Sequence, residues 1–235
     1  MKRLIFLLLL PAIRAGAQSP LFQLLPAKET GIHFSNDIAE TEELNVLSYE
    51  YFYNGGGVAA GDINNDGLPD LFFTANSKPC KMFLNLGGMK FKDITREAGL
   101  EGRSNSWKTG VTMADVNGDG LLDIYVCYSG KNAAQRGNQL FINHGNLHFT
   151  EEAAAYGLND SGYCTQAAFF DYDNDGDLDM FLLRHSVKKI DNMELASHRD
   201  ELDPLAGDKL FENTGGHFVD VSKKAGLRLV MRQAA

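Results

Sequence analysis

Three nine-residue stretches of this 235-residue chain carry side chains able to hold a metal. They read Asp62-Ile63-Asn64-Asn65-Asp66-Gly67-Leu68-Pro69-Asp70, Asp115-Val116-Asn117-Gly118-Asp119-Gly120-Leu121-Leu122-Asp123 and Asp171-Tyr172-Asp173-Asn174-Asp175-Gly176-Asp177-Leu178-Asp179. Each sets an oxygen-bearing side chain at positions 1, 3, 5 and 9 and glycine at position 6. Ca²⁺ is a hard cation that takes six to eight oxygens at ~2.3–2.6 Å in a flexible shell. The candidate ligands are therefore Asp62, Asn64, Asp66 and Asp70, then Asp115, Asn117, Asp119 and Asp123, then Asp171, Asp173, Asp175 and Asp179. Glycine at position 6 permits a turn that a Cβ would strain. That turn lets the backbone carbonyl of position 7 (Leu68, Leu121, Asp177) face the ion. About three Ca²⁺ ions are expected, one per loop. Mg²⁺ fits less well because it demands a tight octahedron and keeps its waters. The plainer reading is an Asp-Gly hairpin turn with solvated carboxylates. Three copies weigh against it, since clustered carboxylates repel one another unless a cation or protons neutralise them.

The elements around these loops must be strands. An EF-hand begins the same way but needs a bidentate Glu at position 12 and flanking amphipathic helices. Here position 12 is Phe73, Val126 or Leu182. The residues after position 9, such as Leu71-Phe72-Phe73 and Ile124-Tyr125-Val126, are apolar, β-branched and aromatic, as in strands.

The loops start at 62, 115 and 171, and two further segments recur at the same spacing. One is Met82-Phe83-Leu84-Asn85, Leu140-Phe141-Ile142-Asn143 and Leu210-Phe211-Glu212-Asn213, each followed by glycine-rich hairpin chemistry. The other runs from Phe91, Phe149 or Phe218 to Ala98-Gly99-Leu100, Tyr156-Gly157-Leu158 or Ala225-Gly226-Leu227. Such self-similarity signals a repeat architecture. Each unit offers four short strands, in the first unit Gly57–Asp62, Asp70–Ala75, Lys81–Asn85 and Lys90–Thr95. Four antiparallel strands per ~50 residues match one blade of a β-propeller. The fold class is thus all-β, an incomplete propeller of about three blades. A stack of calcium-binding β-roll repeats has a period near nine residues and fits worse.

Glycine and alanine crowd the first strand of each unit, as in Gly55-Gly56-Gly57-Val58-Ala59-Ala60, and suit an innermost strand near the axis. Phe72, Phe83, Phe141, Phe169 and Phe211 are expected to pack blade against blade.

Residues 1–17 resemble a secretory signal: Lys2 and Arg3, an apolar run from Leu4 to Leu10, and Ala15-Gly16-Ala17 before a cleavage point near Gln18. The apolar run is too short to span a membrane. Residues 18–50 form an N-terminal segment, in which Phe22–Ile32 loosely resembles the third recurring segment and is a possible ring-closing outer strand. The three units cover about 51–100, 101–158 and 159–227, and 228–235 is a short tail. Residues 185–208 are an insert in the third unit, with Ile190–Glu201 a possible short helix. Three blades do not close a ring, so the chain reads as a portion of a longer protein.

Without residues 1–17, 19 basic residues face 31 acids, a formal charge of −12. Eleven of those acids lie in the loops, and three Ca²⁺ would bring the total to −6. The acidity argues against nucleic-acid partners, which need basic stripes. Cys80, Cys127 and Cys164 form no disulfide framework; Cys127 and Cys164 read as small core residues.

The stretches Tyr51–Asp62, Trp107–Asn117, Asn138–Asn143 and Phe169–Asp177 resemble FG-GAP/VCBS-repeat proteins, whose metal loops are like those of integrin α-subunit propellers. The similarity is greater to the ASPIC/UnbV, cartilage acidic protein-like, subgroup, although it does not extend over that subgroup's C-terminal domain. The resemblance implies a secreted or cell-surface propeller, usually seven-bladed, that serves as an interaction scaffold. It also implies that positions 1, 3, 5, 7 and 9 of all three loops bind the metal.

Two function classes follow. The first is a calcium-binding interaction or adhesion module with a protein or glycan partner and no catalysis. No Gly-x-Ser-x-Gly elbow, P-loop or His-Glu-x-x-His is present. The second is a lyase-like enzyme acting on polysaccharide with supporting Ca²⁺, for which Trp107, Tyr163 and the insert offer candidate contacts. The commoner role for Trp107 is packing.

Overall fold

The computed structural model describes residues 21–187 and 203–227. The expected signal segment, the helix over Ile190–Glu201 and the tail 228–235 lie outside the described residues.

Each unit folds into one four-stranded antiparallel sheet with its strands in sequence order. The first blade holds β1 (Val58–Gly61), β2 (Asp70–Phe73), β3 (Lys81–Asn85) and β4 (Phe91–Asp93). The second holds β5 (Trp107–Ala114), β6 (Asp123–Ser129), β7 (Gln139–Asn143) and β8 (Phe149–Glu151). The third holds β9 (Cys164–Phe170), β10 (Asp179–Arg184), β11 (Lys209–Asn213) and β12 (Phe218–Asp220). The strands expected in the first unit form in place; Lys81–Asn85 has the expected bounds, and the other three are shortened by one or two residues at one end or both.

Period-two alternation turns each middle sheet face toward a different neighbour. Ile124 and Val126 point to the first blade and join Phe72, Met82, Ile94 and Phe141. Tyr125 and Cys127 point the other way and join Met180, Leu182 and Phe211. Each fully buried side chain of this size contributes about 1.5–3 kcal/mol. Phe169 packs beside the second cluster, edge-on to Tyr125 at 5.9 Å. Phe83 differs from expectation. It is buried on the opposite face of the first blade, edge-on to Phe73 at 5.8 Å, because it pairs with Leu71 rather than with inward-facing Phe72.

The innermost strands touch backbone to backbone. A Cβ on Gly57 would sit 2.9 Å from the Gly110 Cα, and one on Gly110 would sit 2.3 Å from the Thr165 carbonyl oxygen. Thr109 Oγ1 and Thr112 Oγ1 of β5 donate across the gap to the carbonyls of Cys164 (2.9 Å) and Ala167 (2.6 Å) of β9.

Phe22–Ile32 forms no strand, contrary to expectation. Ala27–Thr30 makes a single helical turn (α1), entered at Pro26 and closed by Gly31 at φ 82°. Proline lacks an N–H for a sheet ladder, and glycine accepts the left-handed cap. The likeness to the third segment holds for its end: α2 (Ala153–Tyr156) closes the same way on Gly157 at φ 76°. Both glycines back onto an outer strand. A Cβ on Gly31 would lie 2.4 Å from the Phe91 carbonyl oxygen, and one on Gly157 would lie 2.6 Å from that of Phe218.

The chain then straps the first blade. Phe34 stacks on Phe73 at 4.9 Å, and Asn36 Nδ2 donates to Asn76 Oδ1 at 2.7 Å. Tyr49 and Phe52 pack on Trp107 above the second blade. All three cysteines are free and buried. Among the described residues no helix is long and apolar enough to cross a membrane.

Candidate metal loops

Each acidic loop joins the first and second strands of its blade in one register. Gly61 pairs with Asp70, Ala114 with Asp123 and Phe170 with Asp179, so the residue before position 1 always faces position 9.

Position 9 is buried and anchored on both oxygens. Asp70 Oδ2 accepts from Ile63 N–H (3.0 Å) and Oδ1 from Asn85 N–H (2.7 Å). Asp123 accepts from Val116 (3.0 Å) and Asn143 (2.8 Å), and Asp179 from Tyr172 (2.9 Å) and Asn213 (2.8 Å).

Position 1 gathers the turn. Asp62, Asp115 and Asp171 accept from the N–H of position 6 through Oδ2 (2.7, 2.8 and 3.1 Å). Their Oδ1 atoms accept from the N–H of position 5 (3.1, 3.1 and 3.2 Å). Position 5 in turn accepts from the N–H of position 7. Gly67, Gly120 and Gly176 take φ of 85°, 85° and 98°, the left-handed turn expected at position 6.

The loops differ at position 3. Asn64 and Asn117 donate through Nδ2 to the position-5 carboxylates of Asp66 and Asp119, each at 3.0 Å. Asp173 has no N–H to offer, and the third loop brings one oxygen each of Asp171, Asp173 and Asp179 within 4.8 Å of one another. That is the tightest convergence of carboxylates among the described residues.

The electrostatics follow the same division. Burial pushes the Asp70 carboxyl up, and pushes Asp123 up to about 6, against the pull of their two N–H donors. Some desolvation and the charges of Asp175 and Asp179 push Asp173 and Asp177 up. The N–H groups of Gly67 and Asp66 outweigh the desolvation of Asp62 and hold it low. Asp177 Oδ1 is shielded from solvent with no hydrogen-bond partner among the described residues.

The sequence reading missed two features. A second left-handed residue sits at position 4, where Asn65, Gly118 and Asn174 take φ of 59°, 74° and 63°. Asn and Gly are the residues that tolerate this conformation, which was the available signal. The recurring Asn85, Asn143 and Asn213 are also more than turn residues. Besides their N–H bond to position 9, they donate through Nδ2 to the position-8 carbonyls of Pro69 (2.8 Å), Leu122 (3.1 Å) and Leu178 (3.3 Å).

The residues weighed for polysaccharide chemistry lie elsewhere. Trp107 is buried, stacked on Phe52 at 5.3 Å and edge-on to Tyr49 at 5.6 Å. The Arg136 guanidinium covers the Tyr163 ring at 4.5 Å. His185 packs its ring on Tyr51, and burial pushes its pKa down to about 4.

Blades of four antiparallel strands, each carrying an Asp-rich loop between its first two strands, define the class. The chain belongs to the FG-GAP-like repeat family, which matches residues 62–126 and 128–182 and so takes in all three loops. It is also similar to cartilage acidic protein 1 of Xenopus tropicalis, 26% identical over 219 residues, which cover 88% of this chain and 33% of the relative. Cartilage acidic protein 1 of Homo sapiens is 28% identical over 190 residues, covering 76% of this chain and 28% of that protein. The mouse protein of the same name is 28% identical over 187 residues. The chain spans about a third of the length of these relatives.

Proposed function

We propose that this chain supplies calcium-stabilised propeller blades to a secreted or cell-surface interaction scaffold. The observation that carries this reading is the acidic constellation built three times on one hairpin register, with position 9 anchored by the same two amides each time. The donor set suits a hard cation, since every side-chain ligand is an oxygen and the third loop leaves carboxylate charge uncompensated.

Bound Ca²⁺ would neutralise the carboxylates and tie the turn to the strand that follows. The chain's own part is to hold position 9 rigid and to aim positions 1, 3 and 5 from a turn fixed by glycine. At ~1 mM Ca²⁺ and an extracellular-type Kd of ~10⁻⁴–10⁻³ M, each filled loop adds about 0.4–1.4 kcal/mol. The cation's role is thus structural, and the partner, a protein or glycan, meets surfaces that the blades present. The burial of Trp107 lends no support to a polysaccharide-active site there.

Calorimetric titration of CaCl₂ into chelator-stripped protein tests the reading. Heat with a stoichiometry near three is expected. Absence of heat, together with a melting temperature indifferent to Ca²⁺, would overturn it.

A further inference from the structure

We infer that the first two acidic loops bind their cations as a coupled pair, while the third binds independently. This rests on the calcium reading above and adds a division of labour among the loops. Two amide side chains stitch the first loop to the second across the blade interface. Asn65, at position 4 of the first loop, donates through Nδ2 to the carbonyl of Gly120, position 6 of the second, at 3.0 Å. Asn143, fully buried at the end of β7, donates through Nδ2 to the carbonyls of Ile63 (2.8 Å) and Leu122 (3.1 Å). Ile63 lies between Asp62 and Asn64, and Leu122 lies beside Asp123. The same asparagine gives its N–H to Asp123 Oδ1 at 2.8 Å. One side chain therefore positions ligand-bearing backbone in both loops.

Neither link recurs between the second and third loops. The residue at position 4 of the second loop is Gly118, which has no side chain to reach across. Asn213 Nδ2 bonds to the Leu178 carbonyl of its own loop, at 3.3 Å, and among the described residues to no other carbonyl.

Ordering the first loop fixes the carbonyl to which Asn143 is bonded, and so fixes Asn143 against the second loop. An ion entering the second loop then meets a partner already ordered, which is positive coupling, and the effect is reciprocal. Asn65 and Asn143 are positioning residues, since neither is a proposed ligand.

Single-loop variants of the whole chain test this by CaCl₂ calorimetry. With the third loop disabled by Asp175→Ala, adding Asp66→Ala is expected to weaken binding at the second loop at least about fivefold. With the second loop disabled by Asp119→Ala, adding Asp66→Ala is expected to leave the third loop's affinity unchanged. Asn65→Gly accepts the same left-handed backbone, removes one stitch, and is expected to shrink the first effect while the metal-free protein still melts in one cooperative transition, a few degrees lower at most. If the second loop ignores Asp66→Ala, the coupling is overturned although calcium binding stands. If the second and third loops weaken equally, the pairing is overturned in favour of a global effect. If the unmutated chain gives no heat, the calcium reading itself falls.

Discussion

Asp119 and Asp123 sit four residues apart in one loop, yet the structure gives them different work. Asp119 is exposed, and its contacts stay within the turn. Asp123 is buried and accepts from Val116 and Asn143. Asp119→Ala is expected to lower stability by about 0.4–1.4 kcal/mol in ~1 mM Ca²⁺ and by little in EGTA. Asp123→Ala strands two buried N–H donors and is expected to cost about 2–4 kcal/mol even in EGTA, with the loop's calcium contribution lost on top of that in Ca²⁺. Chemical denaturation in both buffers separates the two roles. The spacing of the acidic turn was legible in the sequence because the Asp/Asn pattern is short and local. The anchoring of position 9 was not, since its partner Asn143 lies 20 residues away and is reached only once β6 and β7 pair.

Within the third unit a buried ion cluster ties the entry to the blade to its middle strands. Asp160 lies 3.4 Å from Arg184 Nη1 and 2.9 Å from Lys209 Nζ, and accepts from Gly162 N–H at 2.8 Å. Burial pushes the Asp160 carboxyl up, but the Lys209 and Arg184 charges overcome this and hold it below the ordinary range. A carboxyl depressed in the folded state contributes stability above its unfolded value of 3.8 and loses it as pH falls through the folded value. Asp160→Asn is therefore expected to cost about 3–5 kcal/mol at neutral pH and to flatten the acid limb of a stability-versus-pH curve.

Lys108 presents the opposite case. It is buried in β5 with no carboxylate partner among the described residues. Burial pushes its amine down, with nearby Arg103 adding to the effect against the influence of Cys80. Its charged form is thus disfavoured by folding, and stability rises with pH between the lowered value and 10.5. Lys108→Met is expected to raise stability by about 1 kcal/mol at neutral pH and to abolish that alkaline rise, as read by urea melts at several pH values. Sequence gave no warning of either group, because a charged residue's burial depends on which blades meet around it.

At the scale of the molecule, three loops imply that chelation acts on the whole assembly. Filled with Ca²⁺ as proposed, they would together contribute about 1–4 kcal/mol, and EGTA is then expected to lower the melting temperature by a few to about 15 °C. A scan with and without chelator checks this. The blade count and strand order were legible from the spacing of the repeats. The strap over residues 33–54 was not, because it has no repeat to betray it and is held by scattered contacts such as Phe34 on Phe73.

The shared register of the hairpins has a practical meaning for engineering. Since residue nine always lands opposite the same neighbour and is claimed by the same two amides, the acidic turn behaves as a cartridge with a standard fitting. Swapping the 171–179 cassette into the slot at 62–70, with the buried Ile63 kept in place of Tyr172, is then expected to carry its denser charge along without disturbing the sheet that receives it.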